Sequence, residues 1–199
     1  MEASELLHEY GRGRRDFCGL VMRNADLCEA NLSGVLFEGA DLSGSRFCGA
    51  DLLGSCFTSA LLTRTNFAAA LLARVSFRWA VLVGAILISA DLAAADLRGA
   101  NLRDADLSSA VLRKADLRGA HMSSAELSDC DLSGANLSDS ILYGACLYRA
   151  KLRDAWICAS DVRIADFRQA DITGVNWDDT NIKKVIWTDE DLWDDSRWN

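Results

Sequence analysis

The chain has 199 residues, half of them apolar, and a formal net charge of −8. One domain of this size can bury a substantial core, and the negative balance excludes a direct nucleic-acid binder held by excess basic charge. There is no proline, so backbone N–H groups are available throughout for hydrogen bonds.

Residues 1–15 form the first predicted segment. Ser4 reads as an N-cap, ELLHEY as a helix of about two turns, and Gly11 as its stop. Leu6, Leu7 and Tyr10 are expected to lie over whatever follows. Arg12, Arg14 and Arg15 read as a solvated linker in a chain that is acidic overall. Met1–Tyr10 contains no secretory core. The longest uncharged apolar run, Trp79–Ala90, is too short at twelve residues to span a bilayer as a helix. A cytoplasmic chain with no membrane partner is expected. Thylakoid or periplasmic placement would require that a leader had been removed.

A period of five begins near Arg15 and is plainest at residues 90–119, ADLAA ADLRG ANLRD ADLSS AVLRK ADLRG. On a helix this period would move each Leu by about 140°, leaving no buried face. On a plain strand an odd period would send successive leucines to opposite faces. A broken pentad resolves the conflict. Ala, Asp and Leu form a short extended piece with Ala and Leu inward, and the last two residues turn a corner. Central apolar residues recur at every number ending in 2 or 7 from Phe17 to Leu192, which makes 36 pentads without an insertion. Phe37, Phe47, Phe57, Phe67, Phe77, Leu97, Leu107 and Leu117 are accordingly assigned inward positions.

The A-(D/N)-L-x-x unit resembles the pentapeptide-repeat proteins, and LLHEYGRGRRDF is similar to the lead-in segment of their cyanobacterial members. The resemblance implies an all-β solenoid, a right-handed quadrilateral β-helix with four pentads per coil and a short N-terminal helical cap. With four pentads per coil, 36 pentads give about nine coils and a rod roughly 43 Å long at ~4.8 Å per coil. The expected divisions are 1–15 for the cap helix and linker, 16–192 for the β-helix and 193–199 for a tail. Phe37, Phe57 and Phe77 are spaced by 20, as are Phe47 and Phe67 ten residues away, so two opposed aromatic columns are expected. Val175–Asn199 brings in Trp177, Trp187, Trp193 and Trp198, which reads as a closing cap for an otherwise open coil end.

The outward slots carry the remaining information. Arg78, Arg98 and Arg118 should stack on one face, with Asp96 and Asp116 neutralising them. Residues 60–90 instead place Leu61, Trp79, Val81, Val83, Ile86 and Ile88 outside, a candidate partner surface. Cys28 and Cys48 should be stacked neighbours, expected as free thiols in a reducing compartment. His8 and His121 lie in no ligand motif, and no phosphate loop, dinucleotide fingerprint or zinc spacing appears. No catalytic, cofactor or metal residue is assigned. The expectation is a non-catalytic protein-binding or scaffold rod whose partner is an unidentified protein or a second copy. The family resemblance supplies the alternative, an acidic DNA mimic that binds or protects DNA gyrase, as its quinolone-resistance members do.

Overall fold

A computed structural model describes residues 1–187. From Asp16 to Ile186 each bridge is parallel and joins residue i to residue i+20, beginning with Asp16 and Leu36 and ending with Asp166 and Ile186. Twenty residues are four pentads, so each coil has four sides. We name the faces by one inward residue each, in chain order Phe77, Leu82, Leu87 and Leu92. Each pentad has five slots: small inward, leading outward, central inward, trailing outward and corner.

Backbone hydrogen bonds explain why the pentad has this form. In the pentad of Leu107, the Leu107 N–H donates to Glu126 O at 2.7 Å in the next coil, and the Asp106 N–H donates to Ala85 O at 2.9 Å in the preceding one. The corner Ser109 N–H donates to Ser128 O at 2.9 Å. The small residue closes a turn, Ala110 N–H to Leu107 O at 2.9 Å. Ser109 has φ 58°, as a type II turn requires at its third residue. Positive φ recurs at every corner from Gly19 to Lys184, including β-branched Ile164.

One N–H per pentad, that of the trailing residue, remains. The leading Asp or Asn accepts it. Cys28 donates to Asp26, Ser43 to Asp41, Ala93 to Asp91 and Ser138 to Asn136, all at 3.0–3.2 Å. The repeated Asp is therefore a backbone acceptor in an Asx turn as well as a polar coat.

The interior is narrow and filled. Central and small slots from Leu27 to Phe167 are buried throughout. Both predicted aromatic columns are present. Phe37–Phe57 and Phe57–Phe77 centroids lie 5.3 and 5.2 Å apart, and Phe47–Phe67 lie 5.2 Å apart. The columns also touch across the rod, with Phe57 and Phe67 at 5.9 Å and nearly perpendicular. Leu97, Leu107 and Leu117 continue the inward register. Phe167, Trp177 and Trp187 form a second aromatic group toward the C-terminal end, with centroids 5.4–5.7 Å apart. Trp193 and Trp198 lie outside the described residues, as does the division expected at residue 192.

The helix α1 spans Ala3–Gly11 and begins earlier than the sequence suggests. Glu2 is its N-cap, without a side-chain bond, and Ser4 lies inside the helix. Leu6 is fully buried, and the Tyr10 hydroxyl donates to Ser33 O at 2.8 Å. Leu7, expected to cover the first coil, is exposed instead. Leu6 and Tyr10 are four residues apart and share a helix face, whereas Leu7 is turned about 100° away. The linker arginines are engaged locally: Arg12 pairs with Glu9, Arg14 lies over the Phe17 ring, and Arg15 lies 3.7 Å from the Tyr10 ring centroid.

The expectation of free thiols at Cys28 and Cys48 is corrected. They form a disulfide across adjacent coils. Coil stacking sets their Cα separation to 4.6 Å, within the span a disulfide bridges. No helix among the described residues is long and apolar enough to cross a membrane.

Candidate partner-binding surface

The outer surface divides into ion-paired columns and apolar slots. On the Phe77 face Arg98 donates to both Asp96 carboxylate oxygens, at 2.8 and 2.6 Å, and Arg118 does the same to Asp116. Arg98 also lies 3.5 Å from Asp116, and Arg78 lies 3.9 Å from Asp96. The predicted self-neutralised ladder is thus present. The same rule recurs where a trailing Arg meets the leading Asp of the next coil: Arg23 with Asp41, Arg113 with Asp131 and Arg153 with Asp171. Arg98 and Arg118 hold the carboxyls of Asp96 and Asp116 below the usual carboxylate range, chiefly through these hydrogen bonds.

The apolar slots follow a different logic. Leu61 bridges Val81 in the next coil, both in leading slots on the Leu82 face. Leu61 is 43% exposed, and Val81 and Val83 are half-buried. Ile86 and Ile88 are exposed around the next corner, on the Leu87 face. At Leu61, Val81 and Ile86 no side-chain acceptor replaces Asp. The N–H groups of Thr63, Val83 and Ile88 are consequently left to solvent or to a partner, a backbone cost that the Asp-bearing pentads avoid.

Trp79 occupies a corner at φ 58° and is 59% exposed. Its indole lies across the equivalent corner of the next coil, Gly99, where a Cβ would stand 2.1 Å from the ring. Gly99 is therefore doubly constrained, by φ 64° and by the indole above it. The sequence reading missed this contact, although the 20-residue offset between Trp79 and Gly99 was visible. It also missed a further set on the Leu82 face, exposed Ile141, Tyr143 and Ile164, and Trp156 in a leading slot of the Phe77 face. Apolar residues in slots that elsewhere hold Asp or Asn were the available signal.

Other reactive groups are dispersed. His121 Nε2 lies 2.9 Å from Ser123 Oγ, and burial, then the charge of Arg103, pushes its pKa down. His8 is exposed on α1. Burial pushes the Cys130 thiol up. Among the described residues no group of three His, Cys, Asp or Glu is arranged to hold a metal ion.

The 20-residue bridge period and unbroken pentads are matched by a family profile, Pentapeptide repeats, in eight copies over residues 16–44, 25–64, 60–99, 85–123 and 117–154. The chain belongs to the pentapeptide-repeat family. Its members fold as right-handed quadrilateral β-helices. Among solved structures, this pentapeptide-repeat chain is similar to HetL, a protein involved in heterocyst differentiation regulation in the cyanobacterium Nostoc sp. strain PCC 7120. Identity is 27%, coverage is 97% of this chain and 100% of HetL, and the TM-score is 0.63. A trypsin-treated form of QnrB1, a plasmid-mediated fluoroquinolone resistance protein, shares the fold at 22% identity, covering 88% of this chain and 86% of that one, with a TM-score of 0.55. No curated protein matches the sequence.

Proposed function

We propose that this chain is a non-catalytic, protein-binding rod of about nine coils, whose partner covers Leu61, Trp79, Val81, Val83, Ile86 and Ile88. The observation that carries this reading is the replacement of Asp by apolar residues in the leading slots. It exposes hydrocarbon and forgoes a backbone hydrogen bond at the same pentads, two costs that a bound partner would offset. Pentapeptide-repeat members are generally structural or protein-binding, and the regulatory role given for HetL agrees. Trp79 is the anchor, since buried aromatics dominate interface energies.

The test compares the wild type with Val83→Lys and Trp79→Ala in pull-downs, with melting temperatures measured alongside. Leu82 and Leu87 remain untouched inside, so both variants should melt with the wild type while losing the same bound protein. Retention of that protein by both variants would mean that it binds elsewhere.

The alternative, protection of DNA gyrase by a DNA-like acidic rod, draws on the net charge of −8. Ion pairing argues against it, because Arg98, Arg113, Arg118, Arg153, Arg163 and Arg168 lie against carboxylates along the rod. A gyrase supercoiling assay decides. Inhibition, or relief of fluoroquinolone inhibition, that weakens with salt would favour mimicry. No effect with protein in excess at low salt would remove it.

A further inference from the structure

Exposed charge is distributed unevenly around the middle of the rod. The Phe77 face and the corner leading into it carry Arg74, Arg78, Arg98, Lys114 and Arg118 against Asp96 and Asp116, a net +3 on a chain of net −8. Arg98 and Arg118 use Nε and Nη2 to hold their own carboxylates, which leaves Nη1 of each for a second acceptor. The opposite face, that of Leu87, carries Asp106 and Glu126, with exposed Asp104 on the corner leading into it. Among the described residues the Asp106 and Glu126 carboxylates bond Ser108 and Ser128, and neither pairs with a cation.

The circulation of the chain makes these two faces fit each other. Opposite sides of a closed coil run in opposite directions. When a second rod is moved sideways without rotation, the trailing slots of the Phe77 face meet the leading slots of the neighbour's Leu87 face. With an axial slide of half a coil, Arg98 meets Asp106 and Arg118 meets Glu126. Asp96 and Asp116 then meet Ser108 and Ser128, so no carboxylate opposes another. At the apolar end of the strip, Trp79 meets Gly84 and Ile86. Both rods share one coil spacing, so the pairs stay in step from coil to coil.

We propose that copies of this chain associate side by side with parallel axes, the Phe77 face of one against the Leu87 face of the next. Such an interface is heterologous and does not close, so it builds rows of rods rather than a dimer. It goes beyond the partner surface proposed above, which centres on the Leu82 face, and shares with it Trp79, Ile86 and Ile88.

Sedimentation velocity on the full chain tests this. Concentration-dependent association is expected at about 0.01 M salt, where the Debye length is ~30 Å, and should be lost at about 1 M, where it is ~3 Å. The double variants Arg98→Glu/Arg118→Glu and Asp106→Lys/Glu126→Lys should each weaken association at least tenfold alone. Mixed together, they should associate again, because one then presents two acidic faces and the other two basic ones. The milder pair Asp106→Asn/Glu126→Gln keeps the acceptors for Ser108 and Ser128 and removes only charge. It should weaken association with an unchanged melting temperature. Val83→Lys, on the Leu82 face, should leave association intact, which separates this inference from the partner reading. A wild type that stays monomeric at low salt, association that persists at high salt, or a mixture that fails to associate would each overturn it.

Discussion

Residues 36–88 and residues 90–187 follow one backbone recipe with two different outer surfaces. In the later stretch the leading slots hold mostly Asp or Asn, and these side chains accept the trailing N–H, as at Asp91, Asp106, Asn136 and Asp161. In the earlier stretch Leu36, Leu61, Leu71, Val81 and Ile86 occupy the same slot and cannot accept. The coil closes equally well in both, with every bridge joining i to i+20. Inter-coil bonds and the inward residues thus suffice for the fold, and the Asp adds a local closure that can be given up. A surface that gives it up where hydrocarbon is exposed is under a demand other than folding.

The sharpest way to break the comparison is at the element both stretches share. Leu107 is fully buried in the central slot. Leu107→Asp places an unpaired carboxylate among Leu and Ala, and should cost several kcal/mol, on the order of 3–5. Asp106→Asn, one residue earlier, keeps the acceptor for Ser108 and should cost less than ~0.5 kcal/mol. Similar melting temperatures for these two variants would refute the inward register.

Gly99 should give the next largest effect. Alanine there must adopt left-handed φ, which costs roughly 1 kcal/mol or more, and its Cβ would collide with the Trp79 indole. Gly99→Ala should therefore lower the melting temperature and shift Trp79 fluorescence toward that of a solvated indole. Gly119→Ala is the control. It has the same φ class and nothing within reach of its Cβ, so it should destabilise less and leave the fluorescence unchanged.

How much of this was legible differs by slot. The central and small slots are legible because their identity repeats: Phe37, Phe57 and Phe77 at intervals of 20 already imply one column, and their rings lie tilted in that column with centroids 5.3 and 5.2 Å apart. The leading Asp is legible only as the outward residue of the pentad. Its bond to the trailing N–H depends on backbone direction two residues later, which residue spacing does not reveal. The corner's left-handed φ had a sequence signal, the glycines at Gly19, Gly34, Gly39, Gly44, Gly49 and Gly54, but later corners at Arg64, Lys114 and Ile164 obscured it. Spacing by 20 places Cys28 and Cys48 as neighbours, and what failed was the expectation that they stay free thiols.

Exchanging the leading residues tests the comparison directly. Asp106→Ala removes an acceptor and leaves the Ser108 N–H to solvent, for an expected loss of about 1 kcal/mol. Val81→Asn adds an acceptor for the Val83 N–H and should return a few tenths to about 1 kcal/mol. On the proposed function, Val81→Asn should also weaken partner binding while raising the melting temperature. Thermal denaturation of both variants and a pull-down with Val81→Asn check this. A Val81→Asn protein that is less stable than the wild type would mean that its apolar contacts serve the fold, not a partner.

Acid should produce the smallest effect, and it too should divide the rod. Arg98, Arg118, Arg163 and Arg168, hydrogen-bonded to Asp96, Asp116, Asp161 and Asp166, hold those carboxyls below their ordinary value of 3.8. In the earlier stretch only Asp41, bonded by Arg23, is held down in this way. A depressed folded-state pKa contributes stability that is fully present above the unfolded value and lost as pH falls through the folded one. In each pair the arginine is 37–64% exposed, and apart from Asp41 the carboxylates are partly exposed too, so each contributes little. In a solenoid each coil contacts mainly its neighbours, so local losses can appear locally. Hydrogen exchange at a series of pH values falling below 3.8 should therefore show protection fading first along residues 96–168, with the Phe-lined coils persisting to lower pH. High salt at neutral pH should narrow the difference between the two stretches, because it screens the same pairs. Protection lost uniformly along the rod on acidification would mean that the ladders are surface ornament, and that the inward residues alone set the stability of both stretches.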